Sequence, residues 1–359
     1  MAMTRRAVTV SGGSVLLAAC SGDAMTAESG AAPRPLVIAH RGASADRPEH
    51  TLMAYQRGID QGADFIEPDL VMTKDGVLVC RHECEIGETT DVAARPEFAA
   101  RQTTKTIDGQ PFTGWFAEDF TLEELKTLRC RERLAQLRPQ NAAFDGEAVI
   151  PTFAEVAALA NAAGVGIYPE LKHPRYLTGL GLDPVPALME ALRAADLAIA
   201  RERVFVQCFE LGPLQRIASV SSMHVACVQL ISADGAPVDG EGLTYADLIT
   251  DEGLGRMSDY AVGIGVQKTL ITPWNSENGL MPSTDLVARA RAAGLKVHAW
   301  TVRPENFFLP VEMRLGDDLA APGNVAAEIR LLLDQGVDGL FCDRPADAMS
   351  VLADWRPPA

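Results

Sequence analysis

The chain has 359 residues, of which 47% are hydrophobic and 22% are charged. This composition provides enough apolar side chains for a sizeable core and excludes an intrinsically disordered chain. The formal net charge of −16 argues against nucleic acid as a partner, because binding to phosphate backbones needs clustered lysine and arginine. A small phosphate ester remains compatible with this charge, since a bound metal can supply a local positive charge.

The N-terminal region is predicted to lie outside the folded domain. Arg5 and Arg6 precede a short apolar stretch, which is the layout of a signal peptide over residues 1–20. The paired arginines resemble a twin-arginine signal, and the four residues that end at Cys20 resemble a lipobox, whose lipidated cysteine would tether the chain to a membrane. The alternative is an ordinary cleavable signal with a chance cysteine. Residues 21–35 have the composition of a flexible linker. Because of the predicted signal peptide, we expect an exported protein of the periplasm or cell envelope.

Apolar runs of strand length then alternate with amphipathic segments of helix length, over a domain predicted at residues 36–355. Such alternation predicts an α/β fold with a parallel sheet, and eight units in a chain of this size predict a (β/α)8 TIM barrel. A doubly wound open sheet is the alternative, but the sequence has no GxGxxG fingerprint to support it. The eight runs are Pro35–His40, Asp64–Asp69, Gly166–Leu171, Val204–Gln207, Val225–Gln229, Val262–Val266, Lys296–Thr301 and Gly339–Phe341. The helical segments are residues 51–61, 152–163, 184–196, 211–219, 284–293 and 323–335.

Three segments depart from this alternation. Residues 70–83 are predicted to form a hairpin that rises from the second strand, because the Asp-Gly pair at 75–76 lies between apolar residues. Residues 84–150 form a long insertion, and a capping-box pattern at Thr121 predicts the start of its own helix. Residues 231–258, rich in glycine and aspartate, form a second loop insertion. Both insertions would lie over the catalytic face of a barrel if they follow the carboxyl ends of strands.

Three carboxylates stand at the ends of predicted strands. Glu67 and Asp69 are two residues apart on one strand and face the same way, while Glu170 ends the next main strand. Carboxylates that face one another repel unless a charge neutralises them, and Ca²⁺ and Mg²⁺ prefer oxygen ligands. A transition metal fits this ligand set less well. The alternative is ion pairing with nearby arginine and lysine side chains. Of the two hard cations we favour Ca²⁺, because an exported protein meets it in abundance.

Two histidines and two cations lie beside these carboxylates in the sequence. His40 and His82 are candidates for a general acid and a general base, because imidazole titrates near neutral pH. A single histidine at a strand end is more often structural, but two beside a carboxylate cluster indicate acid–base chemistry. Arg41 and Lys172 suit a phosphate group. Paired carboxylates also suit glycoside hydrolysis, which has little use for two histidines and several cations.

The sequence around these residues resembles the glycerophosphodiester phosphodiesterase family. Its N-terminal signature is matched by AHRGASADRPEHTLMAYQRGIDQGADFIEPDLVMTKDGVLVCRHE, and later segments by IYPELKHP, VQCFE, VHAWTVRPEN and GVDGLFCDRP. The insertion of the long, exported members resembles TTKTIDGQPFTGWFAEDFTLEEL. The resemblance covers residues 36–347 in order. It implies a TIM barrel that hydrolyses deacylated phospholipids, such as glycerophosphocholine, to glycerol 3-phosphate and an alcohol.

Carried over residue by residue, the resemblance implies three kinds of role. The implied metal ligands are Glu67, Asp69 and Glu170, and the implied acid–base pair is His40 and His82. The implied substrate contacts are Arg41, Lys172, Phe209, Trp300 and Glu49. Core packing is the alternative for Phe209 and Trp300, and Glu49 either shapes the first loop or reaches the substrate. His50 is expected at a helix start, and His173, His224 and His298 are expected to be structural.

Several alternatives stay open at this point. A phospholipase D-like phosphodiesterase acting on lysolipids would use the same scaffold, and a lipid anchor would hold it near such substrates. A non-catalytic lipoprotein that binds a phosphate ester is the second rival. The long polar insertion favours small soluble diesters over lysolipids, and a binding protein has no reason to carry two histidines next to a metal site. The nucleophile is either water or the glycerol 2-hydroxyl, either histidine can be the base, and head-group preference and oligomeric state are left open.

Overall fold

The computed structural model describes residues 34–197, 202–220 and 225–358, so the predicted signal peptide, most of the predicted linker and His224 lie outside it. None of the helices in these ranges is long and apolar enough to cross a membrane. The strands β1–β13 are Leu36–His40, Phe65–Glu67, Asp69–Met72, Leu78–Cys80, Thr103–Ile107, Gln110–Gly114, Gly166–Ile167, Glu170–Leu171, Phe205–Cys208, Ala226–Ile231, Gly263–Gln267, Lys296–Val302 and Gly339–Cys342. The helices α1–α12 are Leu52–Asp60, Leu122–Thr127, Pro139–Ala142, Phe153–Ala163, Pro174–Gly179, Pro184–Ala194, Leu211–Ala218, Tyr245–Leu248, Asp251–Met257, Leu286–Ala292, Val325–Asp334 and Pro345–Asp354.

The parallel strands close into a barrel of eight positions. β1 pairs with β13 on one side and with β2 on the other. β9 to β13 follow one another around the ring. The ring closes through β2–β7, β3–β8 and β8–β9, all parallel. The (β/α)8 barrel predicted from the alternation of runs is therefore confirmed, and the doubly wound sheet is excluded.

Two barrel positions are each divided by a proline. Pro68 separates β2 from β3, and Pro169 separates β7 from β8. Proline has no N–H to donate, so the ladder is interrupted where each proline stands. The two halves keep one register on either side of the break, with Ile66 opposite Ile167 and Asp69 opposite Glu170. The three acidic residues Glu67, Asp69 and Glu170 therefore stand beside these breaks, on two neighbouring barrel positions.

The predicted hairpin is also confirmed. β3 and β4 pair antiparallel, with Met72 opposite Leu78, and Gly76 in the turn adopts a φ of +81° that favours glycine. The helix predicted from Thr121 is α2, and Thr121 and Glu124 make both hydrogen bonds of a capping box. The limits of the insertion at residues 84–150 stay a prediction, and we call this range the 84–150 segment.

The 84–150 segment also contains a second hairpin, β5–β6, and the short helix α3. Within residues 231–258 the structure has the short helices α8 and α9. Of these, α9 lies between the adjacent parallel strands β10 and β11, where a barrel has a crossover helix. The second insertion predicted from the sequence therefore includes part of the regular barrel.

Aromatic side chains fill the barrel interior below the acidic strand ends. Tyr168 stacks on Phe205 with ring centroids 5.0 Å apart and meets Phe341 edge-on at 5.0 Å. The hydroxyl of Tyr168 lies 2.8 Å from Nδ1 of His298. His298 is buried, and burial lowers its pKa to about 3. The structural role expected of His298 is therefore confirmed, since it packs in this core as a neutral ring.

Candidate active site

A cavity of about 280 Å³ opens at the carboxyl ends of the barrel strands. This is the end at which barrel enzymes place their reactive groups. Most of the site residues predicted from the sequence line it, together with several that were not predicted. The lining residues are His40, Arg41, Glu67, His82, Glu170, Lys172, Gln207, Phe209, Leu230, Trp300, Thr301, Arg303 and Phe341.

The three predicted carboxylates meet beside this cavity. One oxygen from each of Glu67, Asp69 and Glu170 lies within 4.8 Å of the others, and all three residues are buried. Gln207 supports the cluster, because its Nε2 donates to Oε1 of Glu67 at 3.0 Å. Three carboxylates that are buried against one another repel, so a nearby positive charge or a bound proton must offset this repulsion.

The electrostatics of the cluster fit a hard divalent cation. Burial raises the pKa of Glu67 well above its usual value, and the charges of Asp69 and Glu170 raise it further. Burial and Asp69 raise the pKa of Glu170 to about 8 against the opposing effect of Lys172. Burial opposes ionisation of Asp69 as well, yet Lys172 and Arg41 hold the pKa of Asp69 well below its usual range. The cluster therefore lacks positive charge, and an all-oxygen ligand set of this kind suits Ca²⁺ or Mg²⁺.

The residues Arg41 and Gly42 form a tight loop directly after β1, which ends at His40. Arg41 has a φ of 59° and its backbone N–H donates to Oε2 of Glu67 at 2.8 Å. Gly42 has a φ of +83°, and a Cβ at this position would lie 2.4 Å from the carbonyl carbon of Ala54. Only glycine therefore allows the loop to lie this close to α1. The tight loop aims the Arg41 guanidinium at the acidic cluster, with Nε 3.2 Å from Asp69.

His40 is held by a carboxylate that was not singled out in the sequence. Its Nδ1 lies 2.6 Å from Oδ1 of Asp343, the residue that follows β13. Asp343 is buried, and Arg138 in the 84–150 segment donates to it at 2.5 Å. Burial opposes ionisation, but Arg138 and Arg303 hold the pKa of Asp343 well below its usual range. Burial and Arg41 lower the pKa of His40 to about 4, so its Nε2 carries a free lone pair at neutral pH.

His82 has a different environment on the other side of the cavity. Its Nδ1 lies 2.8 Å from Oε1 of Glu83, and the Lys172 ammonium lies 3.2 Å from its Nε2. Burial, Arg41 and Lys172 lower the pKa of His82 to about 3, although Glu83 acts to raise it. Both histidines are therefore neutral at pH 7, each with a carboxylate on Nδ1, but a cation contacts the Nε2 of His82.

The remaining predicted substrate contacts divide into two groups. Lys172 bonds to Glu170 at 2.9 Å, and the rings of Phe209 and Trp300 meet edge-on at the cavity wall, 5.8 Å apart. Glu49 does not line the cavity. It is buried behind Arg41, and its oxygens accept from Arg41 and from Arg133 of the 84–150 segment at 3.1 Å. Of the two roles predicted for Glu49, the geometry supports shaping the first loop, by orienting Arg41.

Three of the site residues that were not predicted from the sequence are Asp343, Gln207 and Arg138. Asp343 could have been found, because it stands two residues after the last apolar run, where barrel strands end. Gln207 lies inside a predicted strand, but its uncharged side chain did not mark it as a residue of the site. Nothing in the sequence pointed to Arg138, because its partners Asp343 and Glu305 are 205 and 167 positions away.

Comparison with known proteins gives consistent matches. The chain matches the model of the Glycerophosphoryl diester phosphodiesterase family over residues 40–347. It is 37% identical over 327 residues to the glycerophosphodiester phosphodiesterase GDPD6 of Arabidopsis thaliana, covering 86% of this chain and 84% of the relative. A glycerophosphodiester phosphodiesterase of Haemophilus influenzae is 28% identical over 347 residues, covering 88% of this chain and 89% of the relative.

Solved structures share the barrel. A phosphodiesterase of Oleispira antarctica, solved in complex with the product sn-glycerol-3-phosphate, superposes with a TM-score of 0.59 at 22% identity, covering 89% of this chain and 98% of that one. A glycerophosphodiester phosphodiesterase of Agrobacterium tumefaciens superposes with a TM-score of 0.55 at 18% identity, covering 88% of this chain and 99% of that one. At these identities the likeness establishes the fold.

Proposed function

Because the chain belongs to the glycerophosphoryl diester phosphodiesterase family, whose members hydrolyse glycerophosphodiesters with a divalent metal, we propose that His40 and His82 are its acid–base pair. The substrates are small, soluble diesters such as glycerophosphocholine, and the products are glycerol 3-phosphate and an alcohol. One observation carries the proposal: two neutral histidines, each fixed by a carboxylate, face one cavity beside a cluster of three buried acids.

Glu67, Asp69 and Glu170 would hold the metal. We favour Ca²⁺ because all three ligands are carboxylates and the sequence predicts export. When bound, the cation supplies the positive charge that the cluster lacks and polarises the phosphate oxygens. Gln207 donates to Glu67 and so keeps that carboxylate directed into the cluster.

Arg41 and Lys172 bind and orient the phosphodiester. The guanidinium of Arg41 is fixed from behind by Glu49, so its position is set before substrate arrives. Lys172 lies between Glu170 and His82, within reach of a phosphate oxygen in the same cavity. Together the two cations hold the scissile phosphorus between the histidines and offset the charge that develops on its oxygens.

The two histidines differ in a way that supports a division of labour. Nδ1 of His40 is held by Asp343, which leaves its Nε2 free to accept a proton from the nucleophile. The Nε2 of His82 contacts Lys172. When a phosphate anion draws this ammonium away, the pKa of His82 rises and Nε2 takes up a proton from solvent, which it then donates. His40 is therefore the base and His82 the acid that protonates the departing alcohol oxygen.

The proposal is tested by product release. We expect the purified enzyme to release glycerol 3-phosphate from glycerophosphocholine, to lose this activity after treatment with EDTA, and to regain it with Ca²⁺ more fully than with Mg²⁺. Lysophosphatidylcholine is the matched comparison, because it shares the scissile bond and adds one acyl chain. Faster choline release from lysophosphatidylcholine would instead support a phospholipase D-like enzyme, and activity that survives EDTA would contradict the metal site.

Export of the chain forms part of the proposal. Its support is the sequence alone, because Arg5, Arg6 and Cys20 lie outside the described residues. We expect the full chain to fractionate with the cell envelope, held by a lipid on Cys20, and a Cys20→Ser variant to appear in the soluble periplasmic fraction. Recovery of the unaltered chain in the cytoplasm would contradict export.

A further inference from the structure

A chain of four side chains joined by short polar contacts runs from Asp108 in the 84–150 segment to His82. Nδ1 of His82 lies 2.8 Å from Oε1 of Glu83, and the other oxygen of Glu83 lies 3.1 Å from Nε2 of His173. Nδ1 of His173 in turn lies 2.5 Å from Oδ2 of Asp108. Asp108 is in the turn between β5 and β6, so the tip of this hairpin contacts a network that ends on the acid–base pair.

His173 bridges two carboxylates and therefore carries a proton on each ring nitrogen. A neutral imidazole has one N–H and could donate to only one of the two. Burial opposes the charge, but the bonds to Asp108 and Glu83 raise the pKa of His173 to about 9. At neutral pH it is a cation between two anions, and this cation restrains Glu83, which by itself is 40% exposed on its side chain.

The backbone on both sides of this contact is specialised. His173 and Asp108 each have a φ of 50°, a conformation that residues with a Cβ adopt infrequently. His173 holds this conformation directly after Lys172, where the chain leaves β8 and enters α5. Asp108 holds it in the hairpin turn, followed by Gly109. The two-residue hairpin turn itself requires the positive φ of Asp108. The positive φ of His173 has no such turn behind it, and it persists only where surrounding interactions fix it.

We propose that His173 and Asp108 are positioning residues for His82, which makes the β5–β6 hairpin part of the machinery for turnover. The inference rests on the proposed role of His82. Glu83 fixes the tautomer and the ring plane of His82, and an exposed carboxylate alone would do this poorly, since exposed ion pairs contribute little. His173 restrains Glu83 from behind, and Asp108 supplies the counter-charge for His173. Neither residue needs to touch the substrate for this effect.

The test compares single and double variants. We expect His173→Gln and Asp108→Asn each to lower kcat for glycerophosphocholine by about ten- to a hundredfold, because a displacement of about 1 Å at a catalytic group can cost ~10²-fold. KM and the affinity for glycerol 3-phosphate should stay within about threefold, because neither residue is assigned a substrate contact. The double variant should be no slower than the slower single variant, because both act through the same bond to Glu83.

Asp119→Asn is the matched control. Asp119 makes an ion pair with Lys105 of β5 at 2.8 Å, but it has no link to His82. Thermal unfolding and product binding establish that each variant is folded. The inference is overturned if His173→Gln and Asp108→Asn keep the kcat of the unaltered enzyme, or if Asp119→Asn loses as much as they do. The His82→Gln variant separates the proposed role of His82 from the positioning role of His173 and Asp108. If His82→Gln is active, both proposals are refuted. If His82→Gln is inactive while His173→Gln is unimpaired, only the positioning role is refuted.

Discussion

Replacing His40 with glutamine is expected to lower kcat by about 10²–10⁴-fold, which is the usual contribution of a general base. The pKa of His40 is about 4, so at pH 7 the ring is neutral and its Nε2 can accept a proton without first losing one. Glutamine has a similar size and can still bond to Asp343, but its amide is not basic. Steady-state kinetics with glycerophosphocholine measure the loss, and the affinity for glycerol 3-phosphate should change little.

The Asp343→Asn variant tests how much the carboxylate that holds His40 contributes to kcat. The asparagine keeps the shape of the side chain but removes the anion that fixes the tautomer of His40 and pairs with Arg138 and Arg303. We therefore expect a smaller loss of kcat than for His40→Gln, with some loss of thermal stability because the buried Arg138 and the half-buried Arg303 lose a partner. Turnover by His40→Gln close to that of the unaltered enzyme would show that the base lies elsewhere.

Glu67→Gln is expected to abolish the response of the protein to Ca²⁺ and to lower kcat by about 10²-fold or more, since a metal Lewis acid contributes several kcal/mol. Burial and the charges of Asp69 and Glu170 raise the pKa of Glu67. Without metal, the uncharged glutamine therefore removes a repulsion, which offsets the loss of one of the two hydrogen bonds that the carboxylate accepts. The thermal stability of the metal-free protein should therefore be almost unchanged by the substitution.

The unaltered protein and the Glu67→Gln variant should differ in thermal stability once Ca²⁺ is added. A ligand at about 100 times its Kd stabilises a folded protein by about 2.7 kcal/mol. The unaltered protein should show this shift in thermal unfolding, and Glu67→Gln should not. Glu132→Gln is the control, because Glu132 is another buried glutamate whose pKa burial raises, outside the three-carboxylate cluster. A full Ca²⁺ shift in Glu67→Gln would exclude Glu67 as a ligand.

The sequence predicted the parts of the site that depend on local pattern. Glu67, Asp69 and His40 could be found because each lies at the end of an apolar run, and strand ends meet at one face of a barrel. The hairpin turn and the capping box at Thr121 were likewise short patterns with a defined conformation. The helix α9 was missed because its sequence, DEGLGRM, contains two glycines and few apolar residues, and so lacks a helical period.

The charged pairs behind the site could not be predicted in this way. His40 and Asp343 are 303 positions apart, and His173 and Asp108 are 65 positions apart. Such pairs exist only because the barrel has closed and the 84–150 segment has folded against it. Sequence spacing carries no information about partners that meet through the overall fold, so the chemistry of the cavity was more predictable than the structure that supports it.

Three residues of the 84–150 segment support the site from behind: Arg138 bonds to the partner of His40, Arg133 to the partner of Arg41, and Asp108 to the network of His82. A chimera that exchanges this segment between relatives therefore exchanges the supports of three active-site groups at once. Such a chimera can keep a stable barrel and still be inactive. During divergence, the segment and the barrel face beneath it are constrained to change together, as one inherited unit.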